Sequence, residues 1–409
     1  MKKFLIVLIP TIAVMGIFYA LFSYMPAPVE PIIEETIIEE VQEEIVIEEE
    51  KPEYNEPNVD QFHSKLIDIA LDNDVYGMQV VVFKGEDILH SFNYGYSDID
   101  NKTEVNDSTV FRIASTSKMI SNMAIMKLVD EGKIYLGSNL KEVTGLNFKD
   151  DIKLYQILTH TAGIVDSKEF NENMNKVLDI NHLLDISCVN KPGSEYNYTN
   201  FGAGTMAAIV ECVTGEYFMD YAQRELFDSL GLNAGYVCEY LDEGTDVAKM
   251  YDDVVYDPAT WMYNYDFYRS FELGKQYRLA YGNMYISASD LAKLGMVLAG
   301  DGTLNEKKIL STNALREIRT VRNEAEGQNY RAGLNTDVFN NLVEGRIIYG
   351  HTGSAYNAIS CLMYDPSDNT GVVLLTNHSL NKKNDLKYTK VIYDTVNLAY
   401  KEFFTPYGE

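Results

Sequence analysis

The chain has 409 residues, 46% of them hydrophobic, and its 61 acidic side chains outnumber 34 basic ones for a formal net charge of −27. That balance weighs against nucleic-acid binding, which needs a basic face for phosphates, while the length is ample for a sizeable core. Four cysteines without CxxC spacing and six scattered histidines form no zinc pattern, so no metal and no other cofactor is expected.

Residues 1–25 open with Lys2 and Lys3, followed by an uncharged apolar run from Phe4 to Phe22, 19 residues long. That length suits a helix crossing a hydrocarbon core, and the two lysines orient it with the rest of the chain outside the cell. A cleaved signal peptide is the competing reading. The absence of an A-x-A site or a cysteine after Phe22 favours an uncleaved anchor in the cytoplasmic membrane. Residues 26–57 follow as an acidic tether, with twelve glutamates between Glu30 and Glu56 whose repulsion keeps the segment extended. The remainder, 58–405, reads as one compact unit, and from Pro57 on it carries 49 acidic against 31 basic residues. One disulfide among Cys188, Cys212, Cys238 and Cys361 is compatible with export, with no pairing indicated.

Within that unit, Gln79–Phe83 and the stretch ILHSFNYGYS flank a turn and predict an antiparallel hairpin. A buried helix is expected over Ser115–Asp130, because apolar residues cover most of its circumference and Gly132 ends it. From about 146 to 330 the text is mostly helix and loop. Strands return in RIIYGHTG, AISCLMYD and GVVLLTNH, and an amphipathic helix closes the chain over Asp385–Phe404. The fold class that follows is α+β: one antiparallel sheet built from both chain ends and flanked by helices, plus a mostly helical lobe, with the site between them.

S-x-x-K occurs three times, at Ser115/Lys118, Ser138/Lys141 and Ser379/Lys382. The last two sit in polar loops and read as exposed caps or turns. Ser115 stands where a short strand enters a buried helix, so a helix N-terminus faces its hydroxyl. A desolvated Lys118 one turn on would be a neutral amine, able to take the serine proton. The competing reading is an N-cap serine beside a snorkelling lysine. In KPGSEYNYTNFGAG, Tyr198 beside a lysine ammonium is expected to lose its proton easily and relay it, and Asn200 offers a donor and an acceptor to a substrate amide. In YGHTGSAYN a strand edge presents unpaired N–H groups. Read singly, Tyr198 is as well a core aromatic, and His351 a surface strand residue.

Taken together and in order, S-T-S-K, Y-T-N and H-T-G resemble the serine β-lactamase and penicillin-binding (DD-peptidase) superfamily, in particular its class C β-lactamase-like branch. LTHTAGI at 158–164, NMYISASDLAKLGMVLAGDGTL at 283–304 and LLTNH at 374–378 fit as well, and the resemblance runs from about Asn58 to Phe404. It implies that Ser115 is acylated, that Lys118 is its base or proton shuttle, and that Tyr198 is a general base or acid. It further implies that Asn200 orients the substrate amide. His351, Thr352 and Gly353 would line the opposite wall, where the family binds a substrate carboxylate. The N–H groups of Ser115 and Ser354 would form the oxyanion hole. One departure is H-T-G in place of K-T-G: a histidine is only partly charged at neutral pH, so the wall attracts a carboxylate less. This disfavours efficient β-lactam hydrolysis and favours a cell-wall substrate carrying D-alanine, of peptidoglycan or teichoic type, or a small ester. A non-turning penicillin sensor is the alternative outside enzymology. The aromatic stretch Tyr251–Tyr285 reads equally as a cleft wall or as packing, and His160 as structural.

Overall fold

The computed structural model describes residues 54–149, 151–174, 176–258, 260, 264–325 and 328–406. The expected anchor (1–25), the acidic tether up to residue 53, Trp261 and Tyr263 lie outside the described residues. Residues 52–409 form one compact unit, and among the described residues no helix is long and apolar enough to cross a membrane.

Its frame is an eight-stranded sheet. The strands are β1 (Gly77–Lys84), β2 (Asp87–Asp98), β3 (Thr103–Glu104), β4 (Arg331–Ala332), β5 (Asp337–Phe339), β6 (Ile348–Ala355), β7 (Ala358–Asp365) and β8 (Thr370–Thr376). They lie in the order β4-β5-β6-β7-β8-β1-β2-β3, and every ladder is antiparallel. The two ends of the chain meet at β1 and β8, where Val81 faces Val373.

Strand periodicity of two divides the core in half. Val80 and Val82 point to one face, where they pack with Phe62 and Leu66 of α1 (Val59–Asp72) and with Ile392 and Val396 of α5 (Lys390–Phe403). Val81 and Phe83 point to the other face, against Leu291 and Leu294 of α4 (Ala288–Ala299). That helix approaches closely because Gly295 carries no side chain: a Cβ there would stand 2.7 Å from Leu362 Cδ1 and 2.9 Å from the Phe83 ring. Residues 288–299, expected in the helical lobe, therefore cover the sheet. The lobe itself is built on α2 (Ser117–Asp130) packed against α3 (Asn200–Thr214). In α2, every residue from Ser117 to Met126 is buried, as its all-round apolar pattern requires.

Two element boundaries differ from expectation. Ser115 lies in a single 3₁₀ turn, Ala114–Thr116, with α2 starting only at Ser117. Ala114 has φ +45°, a left-handed conformation that costs a non-glycine residue energy and delays the helix. The last helix starts at Lys390 rather than Asp385, because Lys387 also has φ +66° and Lys383 bridges back to Thr389.

Candidate active site

Lys118 is 0% exposed. Its Nζ donates to Ser115 Oγ at 3.0 Å, to Asn200 Oδ1 at 2.9 Å and to the Tyr281 carbonyl at 2.8 Å. Burial draws the ammonium down to about 7, with the Asp166 charge pulling the other way. Two of its three partners are oxygens that can only accept. A neutral amine would give its two N–H groups to them and turn its lone pair toward the Ser115 hydroxyl.

The Tyr198 ring lies 4.8 Å from Lys118 Nζ, and its hydroxyl hydrogen-bonds Ser115. Burial nevertheless raises its pKa strongly, and the Ser115 bond offsets only part of that rise. The expectation of an easily ionised tyrosine is therefore corrected: Tyr198 is a protonated phenol, because dehydration outweighs the Ser115 hydrogen bond. His351, whose ring is 6.3 Å from that of Tyr198, is buried as well and not on the surface. Its Nδ1 is 2.7 Å from the Thr352 carbonyl, and burial lowers its pKa to about 3. The partly charged wall expected from the sequence is in fact neutral.

The start of α3 is held by Asp166, which no sequence signal singled out. Its carboxylate accepts from Thr199 Oγ1 at 2.6 Å, from the Asn200 N–H at 3.0 Å and from the Phe201 N–H at 2.8 Å. The two backbone N–H groups are otherwise orphaned donors of a helix N-terminus, and tying them down fixes where Asn200 stands. His160 supports the same loop: its Nδ1 accepts from the Thr199 N–H at 3.2 Å, and its ring lies 4.5 Å from that of Tyr198. It is structural, as expected, though one layer from the chemistry.

On the far wall, β6 pairs with β5 only as far as Gly350, so, among the described residues, 351–355 have a strand neighbour on one side alone. The turn of Ser115 presses against this stretch, and Gly353 makes the fit. A Cβ on Gly353 would lie 2.3 Å from Ser360 Oγ and 2.4 Å from the Ile113 carbonyl. Ser115, Tyr198, His351, Thr352 and Ser354 all line one cleft of about 330 Å³, together with Asp337 and Tyr330. A larger cavity of about 1390 Å³ elsewhere contains none of the expected residues. Arg346 there pairs with Asp365 at 2.9 Å and Asp368 at 2.7 Å, which reads as a cross-link between chain segments.

The other serine–lysine pairs do not form such a unit. Ser138 Oγ accepts from the Tyr135 N–H in a turn. Ser379 is buried rather than exposed, its hydroxyl reaching the Asn73 carbonyl, while Lys382 Nζ donates to the Asp72 carbonyl. The loop after β8 tucks under the end of α1, which buries the serine and draws the lysine away. In the aromatic stretch, Tyr268, Phe271, Tyr277 and Tyr285 are core residues, and none of its described members lines the cleft. Packing accounts for these four, while the Tyr281 carbonyl holds Lys118. All four cysteines are free thiols.

The family model described as Beta-lactamase matches residues 52–396. Among curated proteins the chain is similar to protein flp of Staphylococcus aureus (strain NCTC 8325 / PS 47), 22% identical over 329 residues, covering 76% of this chain and 62% of that protein. The chain thus spans about three-fifths of the length of the curated relatives it matches first. Among solved structures, the octameric penicillin-binding protein homologue from Pyrococcus abyssi aligns with a TM-score of 0.67 and 21% identity, over 85% of this chain and 79% of that one. The D-amino acid amidase from Ochrobactrum anthropi SV3, complexed with D-phenylalanine, aligns with a TM-score of 0.67 and 20% identity, over 84% and 98%. At these identities the structural likeness speaks for the fold alone.

Proposed function

The chain belongs to the beta-lactamase family, and from that premise we propose that it is a serine hydrolase working through an acyl-enzyme on Ser115. The single observation that carries this reading is the 3.0 Å contact between Ser115 Oγ and a wholly buried Lys118 whose pKa burial brings to about 7. An amine poised there is half deprotonated at neutral pH and can accept the serine proton as the hydroxyl attacks.

The steps follow from the contacts. Ser115 Oγ bonds to the acyl carbon, its proton passes to Lys118, and the oxyanion meets the N–H groups of Ser115 and Ser354. The bond to the leaving oxygen or nitrogen then breaks. The Tyr198 phenol, hydrogen-bonded to Ser115, gives that atom its proton and recovers one from Lys118. Water repeats the sequence in the opposite sense and frees the acid. Asn200 holds Lys118 through Oδ1 and keeps its NH₂ for the substrate carbonyl.

The substrate class we infer is cell-wall material carrying D-alanine, cleaved as a DD-carboxypeptidase or endopeptidase or as a D-alanyl esterase. A neutral His351 adds no charge of its own to hold a substrate carboxylate, which supports D-alanyl or small esters without a terminal carboxylate over efficient β-lactamase activity. The apolar run Phe4–Phe22 supports a site of action outside the cytoplasmic membrane, with the domain tethered to it. Full-length protein should release D-alanine or hydrolyse simple esters, and a labelled penicillin should add its mass once and then leave. Ser115→Ala should lower turnover by at least about a thousandfold, as loss of a nucleophile does. Retained turnover would sink the mechanism, and an adduct that never leaves would make the protein a penicillin sensor.

A further inference from the structure

The cleft contains one acidic side chain that the chemistry above does not use. Asp337 is 7% exposed, yet it lines the same cleft as Ser115, Tyr198 and His351. It stands on β5 directly opposite Gly350, two residues before Thr352 on the neighbouring strand. Among the described residues its carboxyl has no hydrogen-bond or ion-pair partner. Lys118 is the one charge that lowers its pKa, and burial outweighs that effect and pushes the pKa well up. Burying an unpartnered carboxylate costs several kcal/mol, so on its own Asp337 is held toward its neutral acid, and a cation brought alongside it lets the proton leave to solvent and restores the carboxylate.

Resting on the assignment of Ser115 as the acylated residue, we propose that Asp337 selects the acyl group. Its carboxylate receives a free ammonium on the group that Ser115 accepts, so the cleft takes amino-acyl esters or amides whose α-amine is unblocked. Lys118, with its pKa near 7, carries only part of a charge at neutral pH and opposes an incoming ammonium weakly. Neutral His351 adds no opposition. The opposing feature is the exposed pair Lys383 and Lys387, which line the same cleft and would draw a carboxylate instead. An N-acylated peptide ending in a free carboxylate, the substrate of the DD-carboxypeptidase branch of the reading above, is therefore the competing occupant, and the proposal narrows that reading to its D-alanyl ester branch.

The experiment compares full-length protein with Asp337→Asn, which keeps the shape and removes the charge. Methanol release is followed from D-alanine methyl ester and from N-acetyl-D-alanine methyl ester, with phenyl acetate as the uncharged control. Wild type should prefer the free-amine ester by about tenfold or more in kcat/KM. Asp337→Asn should lose about 30-fold on that ester, mainly through KM, while phenyl acetate changes by less than about threefold; such a loss is in the range of breaking a desolvated charge pair. Equal use of the two methyl esters by wild type, or preference for the N-acetylated one, would overturn the proposal. So would equal losses on both methyl esters in the variant. If the variant fails on phenyl acetate as well, the wild-type preference alone decides. If wild type cleaves no ester and takes no penicillin label, the Ser115 reading falls separately. Calorimetric binding of D-alaninamide, lost in Asp337→Asn or unchanged by it, then still decides for or against Asp337.

Discussion

At the scale of single residues, dehydration sets the protonation states. Lys118, Tyr198 and His351 are all buried, and burial moves each toward its neutral form: the lysine down to about 7, the histidine down to about 3 and the phenol upward. With Lys118 as the base, the active form is the deprotonated one, so activity is present above pH 7 and lost below it. The pH profile of kcat/KM should rise about tenfold per unit below pH 7 and flatten above it. His351 does not titrate in that range, so His351→Gln should leave the acid limb in place. A limb that moves or vanishes in that variant would take the base assignment away from Lys118. The Ser115 and Lys118 pair was readable from S-x-x-K and the buried helix pattern behind it. The charge of His351 was not, because composition cannot tell a rim histidine from one buried in the wall of a cleft.

At the scale of elements, the site is a junction of a turn, a helix start and a strand edge. The 3₁₀ turn offers Ser115, α3 begins with Asn200, and β6 closes the far side with Gly353 letting it come near. Asp166 holds the second of these through its three bonds to Thr199, Asn200 and Phe201. Replacing it with alanine leaves buried donors unpaired and should lower stability by about 2 kcal/mol. Urea unfolding measures that loss, and turnover should drop as Asn200 loosens. Unchanged stability and turnover would mean that the loop is held elsewhere. Local pattern located the helices and the hairpin, but two starts were displaced by backbone conformations at Ala114 and Lys387 that hydrophobic periodicity does not encode.

At the scale of the molecule, strands from the two chain ends make one sheet, so neither end is dispensable. β1 lies between β2 and β8, and α1 and α5 cover the same face. Residues 52–409 form a single compact unit, and a chain cut to them should unfold in one cooperative transition. Its midpoint should match that of the full-length protein within a few degrees, which calorimetry would test, and its ester turnover should be undiminished. A broad or two-step transition would mean that the sheet and the helical lobe fold separately.

By itself the amino-acid order determined the fold class, the hairpin, the buried helix behind Ser115 and the three ordered motifs, because periodicity and short spacings are local properties. Tertiary structure alone decided which groups are dry. It placed Asp166 and Asp337 against residues distant in sequence, buried Ser379 and His351, and put the Tyr281 carbonyl on Lys118. The physical reason is that solvation and close contact depend on what the rest of the chain brings alongside a residue, and no local stretch of sequence contains that information.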